Sequence, residues 1–155
     1  MRIGFSSYSF HALTSTGAMT IPDVIDWVAQ SGAEHFEIAL GFPASDPMSD
    51  LSDLPNNRPL VEAIKERVAA TGVTLSQMAI QATFWTKDGK EDGAPGQGEH
   101  VVRNNTAEAE FERVKAHIDL AAELGITLMR HDVAHGNFPG DDLPVVRVSA
   151  LKALE

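Results

Sequence analysis

One pattern constrains this chain more than any other: three times an amphipathic segment ends in glycine and runs directly into a strand-like stretch. Gly32 precedes Ala33-Glu34-His35-Phe36-Glu37-Ile38, Gly72 precedes Val73-Thr74-Leu75-Ser76-Gln77-Met78, and Gly125 precedes Ile126-Thr127-Leu128-Met129-Arg130-His131. A glycine just past a helix takes the left-handed conformation that closes the last turn without a Cβ clash. A strand entered straight from that cap is the αβ connection of α/β folds.

The helices before those glycines follow from spacing and caps. Thr20 is placed to cap the first, with Pro22 and Asp23 in its opening turn and Val24, Ile25 and Val28 as its apolar stripe. The second begins near Pro59 and repeats Leu60, Val61, Ile64 and Val68; the third begins near Thr106 and repeats Phe111, Val114, Ile118 and Ala121. Strands are expected at 2–7, 34–40, 74–81 and 126–132, with helices long enough for the crossovers that parallel pairing needs. A helix-like segment at 145–154 closes the chain, and no fifth strand remains. The expected fold class is therefore α/β: a parallel (βα)4 unit, half of a TIM-type (β/α)8 barrel, in a single domain over 1–155. A doubly wound sheet is the rival architecture, but neither G-x-G-x-x-G nor a phosphate-loop motif is present.

Charge and composition narrow the function. A net charge of −10 repels phosphate backbones and disfavours nucleic acid as a partner. No run approaches the roughly 18 apolar residues of a membrane span, and the opening Met1-Arg2-Ile3-Gly4-Phe5 does not read as a signal peptide. The chain has no cysteine, which excludes disulfides and thiolate chemistry and fits a cytoplasmic location.

The connections after strands, 42–59 and 86–105, are long, and barrel enzymes build their sites there. Glu37 lies between Phe36 and Ile38. A carboxylate turned into a barrel mouth demands a partner, a metal or a sugar hydroxyl, whereas one on a solvated edge strand demands nothing. His131-Asp132-Val133-Ala134-His135 is the densest polar cluster at a strand end. Neutral imidazoles there can ligate a metal or move a proton; the alternative is a His131 hydrogen-bonded inside a barrel layer and a His135 in a solvated loop. Glu37 and Asp132 are the carboxylates available for acid–base work. His11 after the first strand, and Phe84 and Trp85 after the third, would supply hydroxyl contacts and an aromatic wall for a sugar, with core packing as the alternative, stronger for Phe84 than for Trp85. His35 and His117 read as structural. Arg130, alternating with an inward His131, is expected to turn toward the helices and meet an acidic residue there. The glycine-rich 88–105 segment is expected to be mobile or to act as a lid over the mouth.

Three of these stretches, taken in order, carry a family resemblance. Ile3-Gly4-Phe5-Ser6-Ser7-Tyr8-Ser9-Phe10, Glu34-His35-Phe36-Glu37-Ile38 and Leu128-Met129-Arg130-His131-Asp132 resemble the N-terminal half of the xylose isomerase-like barrel superfamily. That superfamily holds sugar isomerases, sugar (phosphate) epimerases, inosose dehydratases and apurinic endonucleases. The resemblance implies a divalent-metal-dependent sugar or sugar phosphate isomerase or epimerase, with Mn, Mg, Co or Zn as the metal. It implies Glu37 and Asp132 in catalysis, His11, Trp85 and His135 on substrate, and His131 on the metal. Most of the family's metal ligands belong to later strands. In the endonuclease branch the third strand carries a histidine where this chain has Gln81, which leaves that ligand set incomplete. A non-catalytic half-barrel is the reading from a different class. Four strands alone would leave one sheet face uncovered, carrying Ile3, Phe5, Phe36, Leu75 or Met129 according to register, and this predicts a homodimer or a missing second half.

Overall fold

All three repeat glycines hold the left-handed backbone that the cap requires, with φ of 81° at Gly32, 74° at Gly72 and 71° at Gly125. The computed structural model describes residues 2–82 and 107–131. Along them run β1 (Gly4–Ser6), a 3₁₀ turn (Ser7–Phe10), α1 (His11–Thr14), α2 (Ile21–Gln30), β2 (His35–Ala39), a 3₁₀ turn (Leu54–Asn56), α3 (Arg58–Thr71), β3 (Thr74–Ile80), α4 (Ala107–Glu123) and β4 (Met129–His131). Among the described residues the four strands form one all-parallel sheet in the order β1-β2-β3-β4, an α/β fold. The packing divides into two compact units: residues 1–80 with 117–130, and a second whose described residues are 81–82, 107–116 and 131.

Local chemistry sets the helix boundaries. Thr20 and Asp23 form a reciprocal capping box at the start of α2: the Asp23 N–H donates to Thr20 Oγ1 at 3.2 Å, and the Thr20 N–H donates to Asp23 Oδ2 at 2.9 Å. The hydroxyl and N–H of Thr20 hold the Asp23 carboxyl below its ordinary range. Asn57 caps α3 and ties back across the preceding loop, its amide donating to Pro47 O at 2.6 Å. No helix among the described residues is long and apolar enough to cross a membrane.

The core lies between the helices and one face of the sheet. Val24, Ile25 and Val28 of α2, Leu60, Val61 and Ile64 of α3, and Phe36, Ile38 and Met78 of the sheet are fully buried. Each such side chain contributes about 1.5–3 kcal/mol relative to exposure. Phe5 joins this face, its ring 5.2 Å from that of Trp27 on α2.

Register corrects the expected composition of the other face. Phe5 is the Cα partner of Phe36, and Phe36 that of Leu75, so all three lie on the helix-packed side. Ile3 precedes β1 and is exposed, while Met129 is half-buried. The rows on the opposite face are Gly4–His35–Thr74, Ser6–Glu37–Gln77 and Ala39–Ala79. These are small or polar side chains, because period-two alternation puts every large apolar residue of β1 and β2 on the covered face. Among the described residues, that face of β1 and β2 carries no large apolar side chain.

The ladder continues into β4. The Met78 N–H donates to Leu128 O at 3.0 Å, as the Thr74 N–H donates to Glu34 O where Thr74 is the partner of His35. The same pattern makes Met129 the partner of Met78 and Arg130 that of Ala79. Arg130 thus extends the Ala39–Ala79 row, on the face opposite to the one expected, and no acidic residue meets it among the described residues.

Candidate functional site

A bulge in β3 creates the central polar row. Phe36 pairs with Leu75 and Glu37 with Gln77, leaving Ser76 as the extra residue, with its hydroxyl donating to Phe36 O at 3.4 Å. Without that insertion Ser76 would face Glu37. With it, Gln77 stands opposite Glu37, and its Nε2 donates to Glu37 Oε1 at 2.8 Å. Both side chains are half-buried. Among the described residues Glu37 Oε2 has no hydrogen-bond partner. On the other side Ser6 completes the row, its hydroxyl accepting from the Tyr8 N–H at 3.3 Å.

Glu37 is the middle residue of β2, one row inside the C-terminal rim. The rim row above it begins with Ala39 and Ala79, which extend no further than Cβ and so do not roof the carboxylate with side-chain bulk.

β1 stops after Ser6 because a side chain replaces its backbone. The Ala39 N–H donates to Ser7 Oγ at 2.8 Å, and that hydroxyl donates to Ala39 O at 3.2 Å. The chain then turns through Ser7–Phe10 into α1, carrying Tyr8 and His11 to Phe42, which follows β2. The Tyr8 and Phe42 rings are 5.1 Å apart, and those of His11 and Phe42 are 4.8 Å apart, both tilted. Tyr8 is 60% exposed, so its ring offers a free apolar surface next to polar strand ends. Walls of this kind stack on the C–H faces of sugar rings.

Of the residues read as functional, Glu37 and His11 are both in this unit, one in the polar row and the other on the aromatic wall. His131 is half-buried at the end of β4, and the alternation that turns Arg130 to the Glu37 face of the strand turns His131, with Met129, to the other face, contrary to the inward position expected of it. Asp132, Trp85 and His135 lie outside the described residues, as do the 88–105 segment and the helix-like stretch at 145–154. His117 is buried, and His35, in the row next to Glu37, keeps a buried Nδ1 without a partner among the described residues. No group of three or more His, Asp or Glu side chains among the described residues could hold a metal ion, so the described donors do not make up the set that the resemblance implies.

Gln77, Ser6, Ser7, Tyr8 and Phe42 were not singled out from sequence. The available signal was a Ser76-Gln77 pair inside an otherwise apolar strand and a Ser6-Ser7 doublet at the end of another. Neither doublet by itself distinguishes a bulge or a strand exit from an ordinary solvated strand position. No known protein-family model matches the chain.

Proposed function

We propose that this chain binds a sugar or sugar phosphate at the C-terminal ends of its strands, as part of a xylose isomerase-like (β/α)8 barrel that moves a proton next to a carbonyl. The observation that carries the reading is the Ser6–Glu37–Gln77 row beside the Tyr8–Phe42–His11 wall. The row offers a hydroxyl, a carboxylate oxygen and an amide to substrate hydroxyls, and the wall offers ring faces.

Gln77 takes up Glu37 Oε1 and fixes the plane of the carboxylate, leaving Oε2 as the acceptor. In the proposed reaction Oε2 takes the proton from the hydroxyl-bearing carbon next to the carbonyl, giving an enediolate. For an isomerisation the proton returns to the former carbonyl carbon while the hydroxyl proton of the first carbon passes to the former carbonyl oxygen; for an epimerisation Glu37 keeps the proton and a second acid protonates the same carbon from the opposite face. A divalent metal would stabilise the enediolate oxygens. Its donor set is not assembled from the described residues.

Solvent exchange tests the proposal. The chain is incubated in D₂O with D-fructose or D-fructose 6-phosphate, with and without Mn²⁺, Mg²⁺, Co²⁺ or Zn²⁺, and deuterium at the carbons beside the carbonyl is read by NMR. Incorporation above the protein-free rate is expected, falling about 10²- to 10⁴-fold in E37Q, the usual worth of a positioned base. No incorporation under any condition contradicts the reaction. Binding without incorporation supports a non-catalytic sugar-binding module instead.

A further inference from the structure

We infer that Arg130 is the specificity-determining residue of this site and that the ligand is a sugar phosphate, its phosphate on the Arg130 guanidinium while its hydroxyls meet Glu37 and Gln77; the inference rests on the sugar-site reading above. Cations are missing from most of the elements around this site. Residues 3–57, which build β1, α1, α2, β2 and most of the loop after β2, contain no Lys or Arg, and neither do residues 73–82, which build β3. An anion at the ends of these three strands finds no cation on them.

Arg130 stands in the rim row beside them. As the ladder partner of Ala79 it continues the Ala39–Ala79 row, and it is exposed. Ala39 and the buried Ala79 put no side chain longer than Cβ between Arg130 and the Glu37–Gln77 pair. At about 4.8 Å per strand spacing, Arg130 lies about 5 Å in backbone position from β3 and about 10 Å from β2. That separation suits the two ends of an extended five- or six-carbon chain.

Its lack of a carboxylate partner is the second observation. Among the described residues every other Lys and Arg meets a carboxylate: Arg2 meets Glu34, Arg58 and Lys65 meet Glu62 and Glu123, Arg67 meets Asp26, Arg113 meets Glu110 and Lys115 meets Glu112. Arg130 alone meets none of them, in a chain of net charge −10 where acids outnumber bases 22 to 12. A planar guanidinium left uncommitted on a polar rim suits bidentate recognition of a phosphate.

Calorimetry with the full chain decides the matter, using D-fructose, D-fructose 6-phosphate and D-galacturonate against wild type and R130M. Because Arg130 is exposed and makes no pair, R130M should fold, and circular dichroism checks this. The phosphate ester is expected to bind about 10- to 100-fold more tightly than the free sugar, the worth of a charge-assisted pair, and R130M is expected to abolish that preference. Equal affinity for fructose and its phosphate in wild type overturns the inference and leaves the sugar site standing. A phosphate preference that survives in R130M overturns the role of Arg130. Tighter binding of galacturonate than of the phosphate overturns the choice of anion. Binding of none of the three overturns the sugar site and the inference together.

Discussion

The Ser7 hydroxyl both accepts from the Ala39 N–H, at 2.8 Å, and donates to the Ala39 carbonyl, at 3.2 Å, so one side chain does for β2 what the next residue of β1 would otherwise do. Strand exit, ladder completion and the placing of Tyr8 and His11 against Phe42 all meet at that hydroxyl. Replacing it in S7A leaves the Ala39 N–H and C=O without that partner. The expected loss is about 1–3 kcal/mol, the cost of stranding buried polar groups. Urea denaturation measures it, and an unchanged midpoint would show that the contact is dispensable.

Gly4 is required for a different reason. A Cβ added there would sit 2.8 Å from His35 Cβ and 2.9 Å from the His35 carbonyl oxygen. The backbone oxygen cannot swing away, so G4A is expected to destabilise by about 1–3 kcal/mol through overpacking. A lowered thermal midpoint with a retained parallel-sheet signature is the predicted result; a midpoint equal to wild type would mean that β1 can shift at little cost.

Acid sensitivity should map to the contact between α3 and the end of α4. Arg58, assisted by Lys65, holds the Glu123 carboxyl at about 2, below its ordinary 4.5. A depressed folded value means that its contribution is present above the unfolded value and is lost as pH falls from about 4.5 toward 2. The stability gap between wild type and E123Q should therefore narrow as pH falls through that window, and 1 M salt should shrink it at neutral pH. A gap independent of pH would contradict the assignment. The gap will be small, because these charges lie at the surface.

The repeat made the elements legible. Gly32, Gly72 and Gly125 marked three helix ends, and the capping pair Thr20 and Asp23 marked a start, because caps are short-range chemistry written in adjacent residues. Strand limits were read too long: 2–7 became Gly4–Ser6, and 126–132 became Met129–His131. The first shortened because Ser7 turns the chain, an effect of a contact 32 residues away. Which face each residue takes was less legible. The bulge at Ser76 shifts all that follows it in β3, and no local pattern announces a bulge. Anchoring alternation on His131 sends Arg130 toward the helices; the bond from Met78 to Leu128 anchors it on Met129 and turns Arg130 the other way. Glu37 was readable as a candidate because a carboxylate between Phe36 and Ile38 demands an explanation, but its partner Gln77 needed the register to be known.

The central claim is that the Glu37–Gln77 pair is where a sugar binds, and the side-chain amide of Gln77 reports on it directly. In an ¹⁵N–¹H spectrum its two NH₂ resonances, assigned through their loss in Q77A, should move in a saturable manner as D-fructose 6-phosphate is added. In E37Q, where the amide no longer donates to a carboxylate, the same titration should give a much smaller and weaker response. Resonances that stay in place at saturating sugar, or that move equally in E37Q, would contradict the claim.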